Sequence, residues 1–463
     1  MNKQEPSLFY AQPNGYDRLS EREEADMNAY CRRYKDFLDH SKTERLCLAY
    51  SLQLAEENGF VPYTEGQALH PGDRVSFVRR DRNLFLAVIG RETLDHGANI
   101  SVAHMDAPHL DVKPRPLYEE SGMAYLKTYL YGWLRKHHYL AQPLALHGVV
   151  ILADGRKAAV DIGEEPDDPV FLINDLLPHL GKAQNARPLK DVVPNDAMNV
   201  LVGSRPVPGG EEGSRFRQYI LTLLHQRYGI TEEDFVSAEL EFVPAGKARD
   251  AGLDRSLIAS YGQDDRVCGF AQLSALMEIK VPEKTAVCVM IDKEEINSDG
   301  VTSMKSRAFD RVMKKLCGAQ GVDLDDCYAN SFCISADVTS AYDPNFAEVY
   351  EKKNAAFLNH GIAVCKYTGH DGDKSDASDA SAEVMGKFRK VCSAAGVLWQ
   401  TAEMGEPEAG GGGTIAKYMA NRNIDTLDAG VPVLSMHAPY ETVAKIDCYM
   451  TYRAIRAVFE SGE

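Results

Sequence analysis

Residues 285–300, TAVCVMIDKEEINSDG, decide the fold. From Thr285 to Ile291 the side chains are apolar or β-branched, with no Pro or Gly. That is the pattern of a strand buried on both faces inside a parallel sheet. The run then breaks into Asp292, Lys293, Glu294 and Glu295. Adjacent carboxylates at the end of a buried strand are costly unless a metal or a partner compensates them. In open α/β sheets the ligand sits beyond the carboxyl ends of the strands, so chemistry is expected at Glu294 and Glu295.

Working outward, three more strand-like runs end in polar residues. Ile100 to Ala103 leads into His104, Met105 and Asp106, and Asn330 to Ala336 ends in Asp337. Thr426 to Met436 reads as one strand ending in His437. A further acidic pair, Asp264-Asp265, precedes an apolar helical segment, Val267 to Met277. Two imidazoles and at least three carboxylates suit two divalent zinc-like ions. A shared carboxylate and a bridging water would complete a two-metal hydrolytic site, with ions roughly 3.5–4 Å apart. Each residue also has a plainer reading. A histidine at a strand end fits a hydrogen-bonded loop residue, Asp337 fits a cap or turn, and Asp264-Asp265 fits a solvated helix N-terminus. The Glu294-Glu295 pair resists the plain reading, because a solvated loop does not explain its abrupt arrival after a buried strand.

The rest of the chain supplies a frame for these ends. With 463 residues, more than one domain is expected. Residues 17–58 read as helical and end at Gly59. Arg74 to Glu92 reads as two strands, and Ser306 to Cys317 and Ala380 to Ala395 as helices. Between about 110 and 253 the texture changes to short strands, such as Ala124 to Tyr131, Leu144 to Leu152 and Lys157 to Ile162, with a helix at Ser214 to Tyr228. The expected architecture is an α/β domain of residues 1–109 and 254–463, with a mixed, largely parallel sheet and helices on both faces. A β-rich domain, 110–253, is inserted in it. The glycine-rich run AGGGGT at 409–414 lacks the Gly-Lys-Ser/Thr ending of a phosphate-binding loop and reads as a loop facing substrate or solvent. It precedes a short helix at Ile415 to Asn421.

Composition narrows the class. A net charge of −17 argues against binding nucleic acid or an anionic membrane. No apolar run is long enough to span a bilayer, and the polar start MNKQEPSLFY does not look like a secretory leader. Ten scattered cysteines without a C-x-x-C pair read as free thiols in a reducing, cytoplasmic compartment.

Five segments, taken in order, resemble one family: SVAHMDAPHLDVKPRP, GQDDRVCGF, IDKEEINSDG, SADVTSAYDPNF and GGGGTIAKYMANRNIDTLDAGVPVLSMHAPYE. The chain is similar to the M18 metallopeptidases, the group of aspartyl aminopeptidase and vacuolar aminopeptidase I, and most similar to their bacterial branch. The resemblance implies an aminopeptidase with two divalent metal ions, zinc by default and cobalt or manganese as alternatives. His104 and Asp337 would bind one ion, Glu295 and His437 the other, and Asp264 would bridge them. Glu294 would be the general base, and Asp106 would fix the tautomer of His104 through its second ring nitrogen. The insert would be a dimerisation domain, with dimers assembling into a tetrahedral dodecamer. His179, in PVFLINDLLPHL, would reach a neighbouring subunit's active site, although an ordinary loop histidine is an equal reading. Asn297 stands where animal aspartyl aminopeptidases have glycine, and Asn tolerates the left-handed backbone such a turn needs. EAGGGG and YLYGWLRKHHYL also depart from those enzymes and put a preference for acidic N-terminal residues in doubt. Lys113, Arg115 and Lys417 could pair an acidic side chain but read first as ordinary surface cations. Two other readings stay open: another di-metal hydrolase, such as a carboxypeptidase or N-acyl amino-acid amidohydrolase, and a non-catalytic assembly particle.

Overall fold

The computed structural model describes residues 8–10, 12–369, 374, 378–406 and 412–462. Its centre is a nine-stranded mixed sheet. Ala98–His104 occupies the middle, with Thr285–Ile291 parallel on one side and Phe332–Ser335 parallel on the other. Asp425–Gly430 lies parallel beyond Phe332–Ser335. The register sets Ile291 opposite His104 and Ser335 opposite both Val102 and Asp428. Chain segments leaving these strands therefore emerge together at one edge. Antiparallel strands Asn83–Val88 and Ile362–Cys365 flank this parallel core.

Thr285–Ile291 is wholly buried because it faces two hydrophobic layers. Cys288 and Met290 point into one core with helices Glu21–His40, Gln263–Glu278 and Lys445–Glu460. Val287, Val289 and Ile291 point into the other, with Ala308–Gln320. Each such side chain contributes roughly 1.5–3 kcal/mol by leaving water. The continuous apolar run in the sequence reflects two covered faces rather than one.

Residues 109–244 build a separate six-stranded antiparallel sheet with its own core and the helix Arg215–Tyr228 packed on it. A third sheet, of five strands, joins Arg249–Ala251, Leu257–Ser260, Glu441–Ala444, Pro432–Leu434 and Thr339–Ser340. The ten cysteines are free, Cys365 half-buried and the others buried. No helix among the described residues is long and apolar enough to cross a membrane.

Two local expectations change. The helical region 17–58 is two helices, Glu21–His40 and Glu44–Glu57, and the Thr43 hydroxyl caps the second by accepting from the Leu46 N–H. The run 426–436 is not one strand. It splits at Val431 into Asp425–Gly430 in the central sheet and Pro432–Leu434 in the five-stranded sheet. Gly430 lets the chain pass the Asp337 backbone, where a Cβ would collide with the carbonyl. His437 therefore comes from the smaller sheet. The C-terminal helix Lys445–Glu460 was not among the elements read from the sequence; residues 445–452 are all buried in it. Of the glycine-rich run, residues 409–411 lie outside the described residues.

Candidate metal centre

His104 ends the middle strand. Its Nδ1 lies 2.9 Å from the Asp106 backbone carbonyl, which directs Nε2 outward. Nε2 lies 3.1 Å from Asp264 Oδ1 and 3.8 Å from Asp337 Oδ1. His437 repeats the arrangement from the other side. Its Nδ1 lies 2.8 Å from the Trp133 carbonyl, and its Nε2 lies 3.2 Å from Asp264 Oδ2 and 3.4 Å from Glu295 Oε2. Asp264 thus presents one oxygen to each imidazole. The structure brings buried His104, Asp264, Glu295 and Asp337 together with half-buried His437 in one cluster, with Asp265 beside His104 and Asp337.

Local backbone accounts for the placement. Asp264 and Asp265 open the helix Gln263–Glu278 with non-helical dihedrals, which turns their side chains out of the helical spiral. The Glu294–Ile296 turn is bracketed by Lys293 at φ 72° and Asn297 at φ 64°. Asn297 adopts the left-handed conformation anticipated from its residue type. Both backbone N–H groups of the acidic pair are held by one carboxylate: Glu294 N donates to Asp106 Oδ1 and Glu295 N to Asp106 Oδ2, each at 3.1 Å. Tyr131 Oη adds a third donor, 2.9 Å from Asp106 Oδ2. The sequence suggested that the Asp106 carboxylate orients His104. In the structure that carboxylate is 3.5 Å from His104 Nδ1, farther than the Asp106 carbonyl, and its nearer partners are the Glu294-Glu295 turn and Tyr131.

Three participants carried no signal that sequence reasoning used. Glu441 is buried and accepts from the Asp264 N–H at 3.1 Å and the His437 N–H at 2.8 Å. It lies four residues after His437, so spacing offered a hint. Tyr131 and the carbonyl of Trp133 come from the six-stranded sheet and had none. His179 lies exposed in the Pro178–Leu180 turn, outside the cluster. Lys113 lies over the Tyr129 ring and Lys417 over that of Tyr418.

The electrostatics are those of too many carboxylates in too little water. Burial pushes Asp337 and Glu295 well above the usual carboxylate range, and neighbouring carboxylates add to it. Burial likewise lifts Glu294 to about 7. Burial opposes protonation of the imidazoles, yet Asp106, Asp264 and Asp337 outweigh it and raise His104 well above its ordinary value. Glu295 and Asp264 do the same for His437, which rises to about 10. For Asp264, burial is outweighed by the His104 and His437 imidazoles beside it, which hold it below the usual range. At an effective dielectric of 20, two unit charges 4 Å apart interact by about 4 kcal/mol. Such a cluster is strongly stabilised by added positive charge.

The donor set fits divalent ions. Each imidazole is fixed by a backbone carbonyl at Nδ1 and aims Nε2 at carboxylates, the arrangement by which metal-ligating histidines are oriented. Asp264 Oδ1 and Glu295 Oε1 are buried with no donor in hydrogen-bonding geometry among the described residues. Histidine nitrogen and carboxylate oxygen are suitable ligands for zinc.

Comparison with known proteins agrees with this chemistry. A family model described as "Aminopeptidase I zinc metalloprotease (M18)" matches residues 37–459. A curated protein of Clostridium acetobutylicum named "Probable M18 family aminopeptidase 1" is 41% identical over 446 residues, covering 95% of this chain and 96% of its own length. The crystal structure of an M18 aminopeptidase from Thermotoga maritima superposes with a TM-score of 0.92 at 38% identity, covering 98% of this chain and 100% of that one. At 20% identity and a TM-score of 0.76, over 94% of this chain and 97% of that one, the fold also matches a structure described as the S. cerevisiae mApe1 dodecamer.

Proposed function

The chain belongs to the M18 family of aminopeptidases and is a metallo-aminopeptidase; from that premise we propose how its own residues remove the N-terminal amino acid of a peptide. His104 and Asp337 would hold one ion, Glu295 and His437 a second, with Asp264 shared between them. The observation that carries this reading is Asp264, whose two oxygens face two different imidazoles at 3.1 and 3.2 Å. When bound, the ions would polarise the scissile carbonyl and lower the pKa of water. Zinc is proposed as the metal, in keeping with the family description; cobalt and manganese suit the same ligands.

Glu294 stands next to the cluster without being one of its proposed ligands. With its carboxyl held near 7 by burial, it is poised to take a proton from the attacking water and deliver it to the leaving amine. Asp106 fixes the backbone on which Glu294 and Glu295 stand. With the ions bound, the scissile carbonyl would lie near one and the free α-amine of the peptide would be anchored near the other. We further propose a cytoplasmic homo-oligomer of dimers built through residues 110–253 and forming a dodecamer. In it His179 is offered to a neighbouring copy, in keeping with its exposure beside exposed Leu176, Leu177 and Leu180.

The test is hydrolysis of Asp, Glu, Leu, Met and Lys p-nitroanilides, with N-acetylated controls, before and after adding zinc, cobalt or manganese. Metal-dependent cleavage of the free-amine substrates alone supports the proposal and ranks N-terminal preference. Release of acetate from the N-acetylated controls, with no p-nitroaniline from the free-amine substrates, would replace it with an amidohydrolase.

A further inference from the structure

The strand Met123–Tyr131 of the six-stranded sheet runs to the metal-ligand cluster and turns there. Tyr131 Oη donates to Asp106 Oδ2 at 2.9 Å. Two residues on, the Trp133 carbonyl accepts from His437 Nδ1 at 2.8 Å. One contact reaches the carboxylate that holds the Glu294-Glu295 turn. The other orients the imidazole across the cluster from His104.

The turn itself is firmly held. The Tyr131 ring stacks on His109, with centroids 4.3 Å apart and planes 15° apart. His109 is anchored in turn, with Nδ1 2.8 Å from the Ala107 carbonyl and Nε2 3.1 Å from Asp111 Oδ1. Gly132 has φ +73°, and a Cβ there would lie 3.2–3.3 Å from Pro108. Only glycine adopts that conformation freely at such close approach. Pro108 is fixed because its carbonyl accepts from Tyr139 at 2.8 Å and from Tyr261 at 3.1 Å.

We propose that Tyr131 is a positioning residue for the metal centre, and that the Tyr131–Gly132–Trp133 turn makes the six-stranded sheet a working part of that centre. This rests on the two-metal reading above. Groups that orient metal ligands from behind typically change metal affinity or activity by about 10–100-fold when removed. Tyr131→Phe deletes only the hydroxyl and leaves the His109 stack. Gly132→Ala keeps the hydroxyl and disturbs the placement of the Trp133 carbonyl.

The experiment is competition of the full-length chain with a chelator for cobalt(II), read by the visible spectrum of the bound ion, together with kcat and KM on one free-amine substrate. Both variants are expected to bind cobalt about tenfold or more weakly. Their kcat should fall while KM stays within about twofold, since neither residue is assigned to substrate. Tyr139→Phe is the control. It removes a buried hydroxyl from the same contact between the two sheets, where Tyr261 still donates, and is expected to retain wild-type cobalt affinity. Wild-type cobalt affinity and kcat in both Tyr131→Phe and Gly132→Ala would overturn the inference. Equal weakening in Tyr139→Phe would overturn it too, by showing general loosening. A wild-type chain that takes up no cobalt would instead refute the two-metal reading on which it stands.

Discussion

Replacing Asp106 by Asn separates a group that orients the site from one that merely stabilises the fold. The carboxylate accepts from Glu294 N and Glu295 N at 3.1 Å each and from Tyr131 Oη at 2.9 Å. Asparagine has nearly the same shape but one acceptor oxygen. Whichever way its amide is turned, an NH2 group faces the Glu294 N–H or the Glu295 N–H. Hydrogen bonds to a charged acceptor contribute about 1.5–3 kcal/mol, and a buried donor left without a partner costs about 1–3 kcal/mol. The loss is therefore roughly 3 kcal/mol in the order of the turn carrying the proposed base and one proposed ligand. At about 1.4 kcal/mol per decade, that corresponds to on the order of a hundredfold, the upper end of typical effects of such groups. Zinc competition with a graded chelator should show affinity weakened about 10–100-fold, and kcat/KM should fall by a similar factor. Thermal unfolding of the metal-free chain controls for a general loss of fold. Asp106→Asn with wild-type zinc affinity and kcat/KM within twofold would refute the reasoning.

Other expectations follow from the same geometry. Glu294→Gln should lower kcat by about 10²–10⁴ while metal content stays at the wild-type value; retained turnover would remove Glu294 as the base. Metal loading at pH 7 should release protons. The metal-free chain holds His437 at about 10 and His104 above its ordinary value, so both are protonated there, whereas ligands bind metal deprotonated. Calorimetry in buffers of different ionisation enthalpy should give at least two protons released per chain, and no release would contradict the assignment of both histidines. Finally, a general base acts ionised, so activity should fall as pH drops through the Glu294 pKa. The protein alone places that pKa at about 7, and nearby cations favour the charged form and lower it. The acid limb of kcat/KM is expected at pH 7 or below and should vanish from the residual activity of Glu294→Gln.

The site was legible where chemistry coincided with a strand end. Thr285–Ile291, Ala98–His104 and Phe332–Ser335 are buried on both faces, so a charged residue immediately after them stands out against an apolar run. Glu294, His104 and Asp337 were visible for that reason. Asp264 stood out less, because an acidic pair before a helix is also an ordinary N-terminus. The supporting layer was not legible. Trp133 acts through its backbone carbonyl, which every residue has. Tyr131 belongs to the other sheet and meets Asp106 only through tertiary packing. Glu441 reads as a polar residue in a loop until the structure shows it buried against two backbone N–H groups. The split at Val431 was flanked by Gly430 and Pro432, breakers that the single-strand reading passed over, and the clearance at Gly430 involves the distant Asp337 backbone.

One carboxylate, Asp264, is proposed to serve two ions. The most direct measurement is titration of metal-free chain with zinc, following bound metal per chain and hydrolysis of a free-amine substrate in the same samples. Saturation is expected at two ions per chain in the wild type, with full activity only when both are bound. Full activity at one ion per chain, or activity with none bound, would contradict it.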